Sequence, residues 1–136
     1  MKISKFKANI KKNPKGDVIK LFNLFDKNIK FKGEAYISKI KKNKIKAWKH
    51  HKKANLNLFI IDGKVKFVTI NKKNNFKIDI LDTTKLNRIF IPKGTIFGFQ
   101  NISKKDSIIL SISDILYDKN ENISYKINDF EFNWIK

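Results

Sequence analysis

The sequence contains no cysteine, which excludes a disulfide framework and any thiolate metal site. It has one arginine, Arg88, among 31 basic residues, so the planar forks that grip bases and phosphates bidentately are almost missing. Acidic residues number only 12, and the two histidines are the neighbours His50 and His51. The sequence has no Walker-type Gly-rich loop and no G-x-G-x-x-G, G-x-S-x-G or H-E-x-x-H motif. No apolar run approaches the roughly 20 residues of a membrane-spanning helix. The first residues, Met1-Lys2-Ile3-Ser4-Lys5-Phe6-Lys7, are charged throughout and lack the apolar stretch of a secretory leader. The expectation is a cytoplasmic protein with no membrane association.

What the chain has in excess is lysine, and its formal net charge is +19. Such a field attracts phosphate and makes nucleic acid an obvious candidate partner. Two features argue against it. Arg88 stands alone, and the lysines run along the whole chain instead of gathering on one element. Lysine, isoleucine and asparagine are abundant together, as in coding sequence drifted toward A and T. A moderately basic pocket for a phosphorylated ligand fits the same composition.

With 136 residues, 41% of them hydrophobic, the chain has room for one packed core. Residues 1–15 read as a basic lead or edge strand, and 16–136 as the folded domain. Val18, Leu21, Phe22 and Phe25 have helical spacing and predict a short helix or irregular turn. After Gly33 the pattern becomes that of strands. Ala35, Ile37 and Ile40 form one face against Tyr36, Ser38 and Lys39, and Lys44 to His50 forms the next strand. Asn57–Ile61 and Lys64–Ile70 flank Asp62-Gly63, a dipeptide that predicts a hairpin. Further strands are expected at Phe76–Leu81, Arg88–Ile91, Gly98–Asn101 and Ser107–Ser113. The polar and aromatic stretch from Tyr117 to Lys136 is expected to add an edge strand or to pack across the barrel mouth. Many short strands separated by turn residues predict an all-β sandwich or barrel in one domain.

Between Lys46 and Asn101 the spacing is informative. Lys49-His50-His51 is followed after four residues by Leu56 and after six more by Gly63. Pro92-Lys93-Gly94 is followed after two residues by Phe97 and after three more by Asn101. This frame resembles the metal site of cupins, with Lys49, His51, Leu56 and Phe97 standing where ligands are expected. A single imidazole falls short of the roughly three or four protein ligands that a catalytic metal takes. The resemblance implies a cupin-type double-stranded β-helix, or jelly roll, without a metal.

A longer likeness covers residues 16 to 134. It rests on Gly16-Asp17-Val18, Gly33-Glu34-Ala35-Tyr36-Ile37-Ser38, Lys46-Ala47-Trp48-Lys49-His50-His51-Lys52, the run from Asn57 to Val68, Ile91 to Asn101, Tyr117-Asp118 and Asn133-Trp134. Together these resemble the short relatives of the dTDP-4-dehydrorhamnose 3,5-epimerase family. The resemblance implies a homodimer acting on a nucleotide-linked 4-keto sugar with no cofactor and no metal. A proton is removed beside the keto group and returned on the opposite face, which requires a base, an acid and support for the enolate.

Carried over residue by residue, the resemblance makes His51 the candidate base and places Lys49 where the family has its catalytic histidine. Tyr117 corresponds to the acid and Asp129 to the carboxylate that orients the base. The family's lysine beside the keto oxygen falls near Leu56 or Asn57 and is absent. Lys46, Trp48 and Asn57 are the candidate substrate contacts. Strand alternation puts Lys49 and His51 inside the barrel, with His50 outward and Lys46 and Trp48 on the opposite face. Each residue also has a plainer reading. Lys49 can be a lysine reaching solvent at the barrel mouth, Trp48 a packing or dimer residue, and Phe97 part of the core. Lys46–Lys52 is similar as well to the R-G-x-H-A-H-K segment of sugar-nucleotide 3,4-ketoisomerases, the second enzymatic reading. A non-catalytic sugar- or nucleotide-binding cupin is the third.

Overall fold

The computed structural model describes residues 2–22 and 32–135. The N-terminal part forms β1 (Ser4–Lys7), β2 (Asn9–Lys11) and β3 (Val18–Lys20). Then follow β4 (Glu34–Ile40), β5 (Ile45–His51), β6 (Leu56–Asp62), β7 (Lys64–Ile70) and β8 (Phe76–Asp82). The chain continues through β9 (Leu86–Ile91), β10 (Ile96–Asn101), β11 (Ser107–Ser113) and β12 (Asn122–Ser124). Two five-stranded antiparallel sheets result, in the orders β1-β9-β6-β11-β4 and β12-β5-β10-β7-β8, with β2-β3 as a separate ribbon. This is the expected all-β jelly roll.

The two sheets face each other across one apolar core. Leu56, Leu58 and Ile60 of β6 meet Val65 and Phe67 of β7, with Ile89, Ile91, Phe97, Phe99 and Ile109 around them. Burying each such side chain contributes about 1.5–3 kcal/mol, so this layer dominates the stabilisation. Nearly every residue of β6 and β7 is buried, because both of their faces are covered. Outside the first sheet, Phe59 packs on Phe22, and Arg88 lies buried with its guanidinium 3.5 Å from the Phe6 ring centre. Outside the second sheet, the C-terminal stretch lays Phe130, Phe132 and Trp134 against Trp48, Val68 and Ile70. Lys66, also buried, donates from Nζ to the Trp134 carbonyl at 3.1 Å.

Three expectations need correction. Asp62-Gly63 does not close a hairpin, since β6 belongs to the first sheet and β7 to the second. The turn is a corner that carries the chain between sheets. Gly63 has φ of 87°, and a β-carbon there would overlap Ser107, so both conformation and space require glycine. Second, Val18 to Lys20 is a strand paired with β2, not part of a helix, and Phe25 lies outside the described residues. Third, Ile40 of β4 is buried in the core as expected, but the rest of the strand is turned the other way round. Ile37 is 65% exposed, while Glu34, Tyr36 and Ser38 face a cavity between the sheets. The rule of apolar residues inward fails there because this part of the inner face lines a cavity and not the packed core.

Asn101 closes the opposite end of the barrel. Its amide nitrogen donates to the carbonyls of Ile40 and Lys105, each at 2.8 Å. Its oxygen accepts from the Ser103 N–H and from the hydroxyls of Ser103 and Ser107, all at 2.9 Å. The asparagine of the cupin-like frame is thus a loop clamp.

Candidate functional site

A cavity of about 310 Å³ opens between the sheets. Its first wall is made by Glu34, Tyr36 and Ser38 of β4 with Ser111 and Ser113 of β11. Facing them on β5 are Lys46, Lys49 and His51. The floor is apolar, with Leu56, Leu58, Phe97 and Phe99.

That three residues of β5 at positions 46, 49 and 51 share one face is not strand alternation. Between Phe97 and Gly98 the register with β10 slips: Phe97 pairs with Lys49, but Gly98 pairs with Ala47. One extra residue on β5, Trp48, forms a β-bulge, and a bulge re-aims the side chains on either side of it. Lys46 is thereby brought to the cavity beside Lys49 and His51, correcting its expected place on the opposite face. Trp48 stays on the outside. It is 1% exposed, donates from its indole to the Ile127 carbonyl at 3.1 Å, and packs among Phe76, Phe130, Phe132 and Trp134.

His51 is held on two sides. Its Nδ1 lies 3.0 Å from Oε2 and 3.2 Å from Oε1 of Glu121, and its ring stacks on Phe97. An ionised carboxylate can only accept, so Nδ1 is the donor, and in the neutral imidazole this tautomer leaves the lone pair on Nε2. Glu121 is itself anchored, because Oε1 also accepts the N–H groups of Ala54 at 2.9 Å and Lys53 at 3.2 Å. Burial pushes this carboxyl up, but the bonds from Ala54, His51 and Lys53 outweigh burial and hold it below the ordinary carboxylate value. The pair is therefore an oriented imidazole beside a carboxylate that is ionised at neutral pH.

The other candidates are spread over the molecule. Lys49 donates to the Ser124 hydroxyl at 2.9 Å, and Lys46 reaches across the cavity mouth to Ser38 at 3.1 Å. Tyr117 lies on the rim and is 73% exposed. Asn57 is buried but does not line the cavity; it alternates with Leu56 and Leu58 and lies on the outer face of its sheet. Asp129 is exposed on a short 3-10 turn and accepts the Lys126 N–H at 2.7 Å, away from His51. The carboxylate beside His51 is Glu121. Trp48, Asn57 and Asp129 thus stand outside the cavity. His50 faces the tail, stacked on Tyr125.

Among the described residues, no group of three or more His, Cys, Asp or Glu could share a metal ion. With Leu56 and Phe97 apolar and buried beside His51, the donor set does not fit the metal that cupins hold.

No protein-family model and no curated protein matches the sequence. Solved structures do match the fold. A dTDP sugar isomerase from Desulfovibrio desulfuricans G20 superposes with a TM-score of 0.88 at 18% identity, covering 98% of this chain and 90% of that one. A 3,4-ketoisomerase from Helicobacter canadensis gives 0.75 at 24% identity, covering 90% of each chain. The dTDP-6-deoxy-D-glucose-3,5-epimerase of Legionella pneumophila, solved with dTDP-4-keto-L-rhamnose, gives 0.75 at 14% identity over 93% of this chain and 74% of that one. The chain therefore has the fold of the dTDP-sugar isomerases and epimerases.

Proposed function

We propose that this protein is a metal-independent epimerase or isomerase of a nucleotide-linked 4-keto-6-deoxyhexose. The observation that carries the reading is the His51–Glu121 pair, set in a cavity flanked by Lys46 and Lys49. Protons on a carbon beside a ketone are weakly acidic, and the enolate left by their removal needs nearby positive charge. Nε2 of His51 is the base. The imidazolium formed is stabilised by the charge of Glu121, which also fixes the tautomer that leaves Nε2 free to act. Lys49 and Lys46 supply positive charge for the enolate oxygen and the diphosphate, while Ser38, Ser111 and Ser113 offer hydrogen bonds to sugar hydroxyls. The solved relatives support the substrate class, since the L. pneumophila enzyme was solved with a dTDP-4-keto sugar. The reading includes a homodimer and a place in deoxysugar synthesis for surface polysaccharide.

A 3,4-ketoisomerase is the second reading, favoured by the 24% identity to the H. canadensis enzyme. Incubation with dTDP-4-keto-6-deoxyglucose in deuterated water, followed by proton NMR, separates the possibilities. The epimerase reading predicts deuterium at C3 or C5 with an inverted centre; a moved carbonyl identifies the ketoisomerase. Absence of both exchange and any new ketose overturns the enzymatic reading and leaves a binding protein.

A further inference from the structure

Inversion at carbon needs two groups on opposite sides of the sugar ring, and Tyr117 and Tyr36 both line the cavity. Tyr117 sits in the segment after β11, 73% exposed at the rim, where bulk water competes for any proton it offers. Tyr36 is differently placed. It projects from β4 of the first sheet into the same cavity that His51 enters from β5 of the second. Ser111 lies directly opposite it in the β4–β11 ladder and lines the same cavity. A sugar ring between the sheets would have His51 on one face and the Tyr36 phenol on the other.

We propose that Tyr36, paired across the ladder with Ser111, is the proton donor that completes inversion on the face opposite His51. The inference rests on the epimerase reading above. Burial, with the nearby charges of Glu34 and Glu121, raises the phenol above its ordinary value despite the opposing influence of the Ser111 hydroxyl, so the proton is in place at neutral pH.

The step balances without a co-reactant. The C–H bond beside the ketone breaks, its proton goes to Nε2 of His51, and its electron pair forms the enolate. The enolate carbon then takes the Tyr36 proton on its other face, leaving a phenolate. Solvent reprotonates the phenolate and removes the proton from the imidazolium.

The test compares Tyr36→Phe and Tyr117→Phe with the wild type in deuterated water, reading exchange of substrate protons separately from inverted product. Tyr36 is 40% exposed near the sheet edge, so loss of one hydroxyl leaves folding intact, and circular dichroism checks this. The expected result is that Tyr36→Phe keeps exchange within a few-fold of wild type, because His51 still acts. Inversion in the same variant falls about 100-fold or more, the scale of a lost general acid. Ser111→Ala is expected to give a smaller loss in the same direction. Undiminished inversion in Tyr36→Phe, or its loss in Tyr117→Phe alone, overturns the assignment of Tyr36. Wild-type protein that shows no exchange overturns the epimerase reading itself, a separate outcome.

Discussion

Replacing His51 with asparagine is expected to lower solvent exchange on the 4-keto sugar by about 10²–10⁴-fold, the range a positioned general base contributes. The variant should still bind the nucleotide sugar, because Lys46 and Lys49 keep their positions on the bulged strand. Asparagine can hydrogen-bond Glu121 but cannot accept a proton near neutral pH. Exchange rate by NMR and binding by calorimetry check the two halves separately. If exchange in His51→Asn matches the wild type, the base lies elsewhere. The neighbouring His50→Asn variant is expected to exchange normally, because that ring is stacked on Tyr125.

The largest expected loss of stability comes from Glu121→Ala. The carboxylate is 4% exposed and gathers the His51 imidazole and two backbone N–H groups. Its removal strands these donors and costs about 3 kcal/mol, measured by urea unfolding. The same group predicts an acid limb. Its folded-state value lies below the ordinary 4.5, so its contribution is fully present above that value and is lost as pH falls through the lower, folded-state one. Glu121→Gln should flatten this part of the pH–stability profile. A profile identical to wild type would show that the anchor contributes nothing to folding.

Much of the fold was legible because strand signals are local. The runs at Lys64–Ile70 and Ser107–Ser113 coincide with β7 and β11. Which strands pair is not local, so Asp62-Gly63 suggested a hairpin where the chain changes sheets. In the site, His51 and Lys49 were legible from spacing, and Lys46 was misplaced because a bulge at Trp48 is invisible to period-2 reading. Tyr36 was hidden by the assumption that Ile37 must point inward. Glu121 was hidden by its setting, since Asp118-Lys119-Asn120-Glu121-Asn122 reads as a polar turn. The available signal was scarcity, because few acidic residues stand among many lysines. Asp129 was preferred through family alignment, which carries position but not contact.

The aromatic cap over the second sheet has an optical consequence. Trp48 and Trp134 are the chain's two tryptophans, and their rings lie 5.1 Å apart. All indole emission therefore originates from a single spot, where the end of the chain is docked on the back of the strand that carries His51. A red shift in fluorescence reports the tail lifting away, whereas a ligand entering on the other side of that strand leaves the signal nearly unchanged.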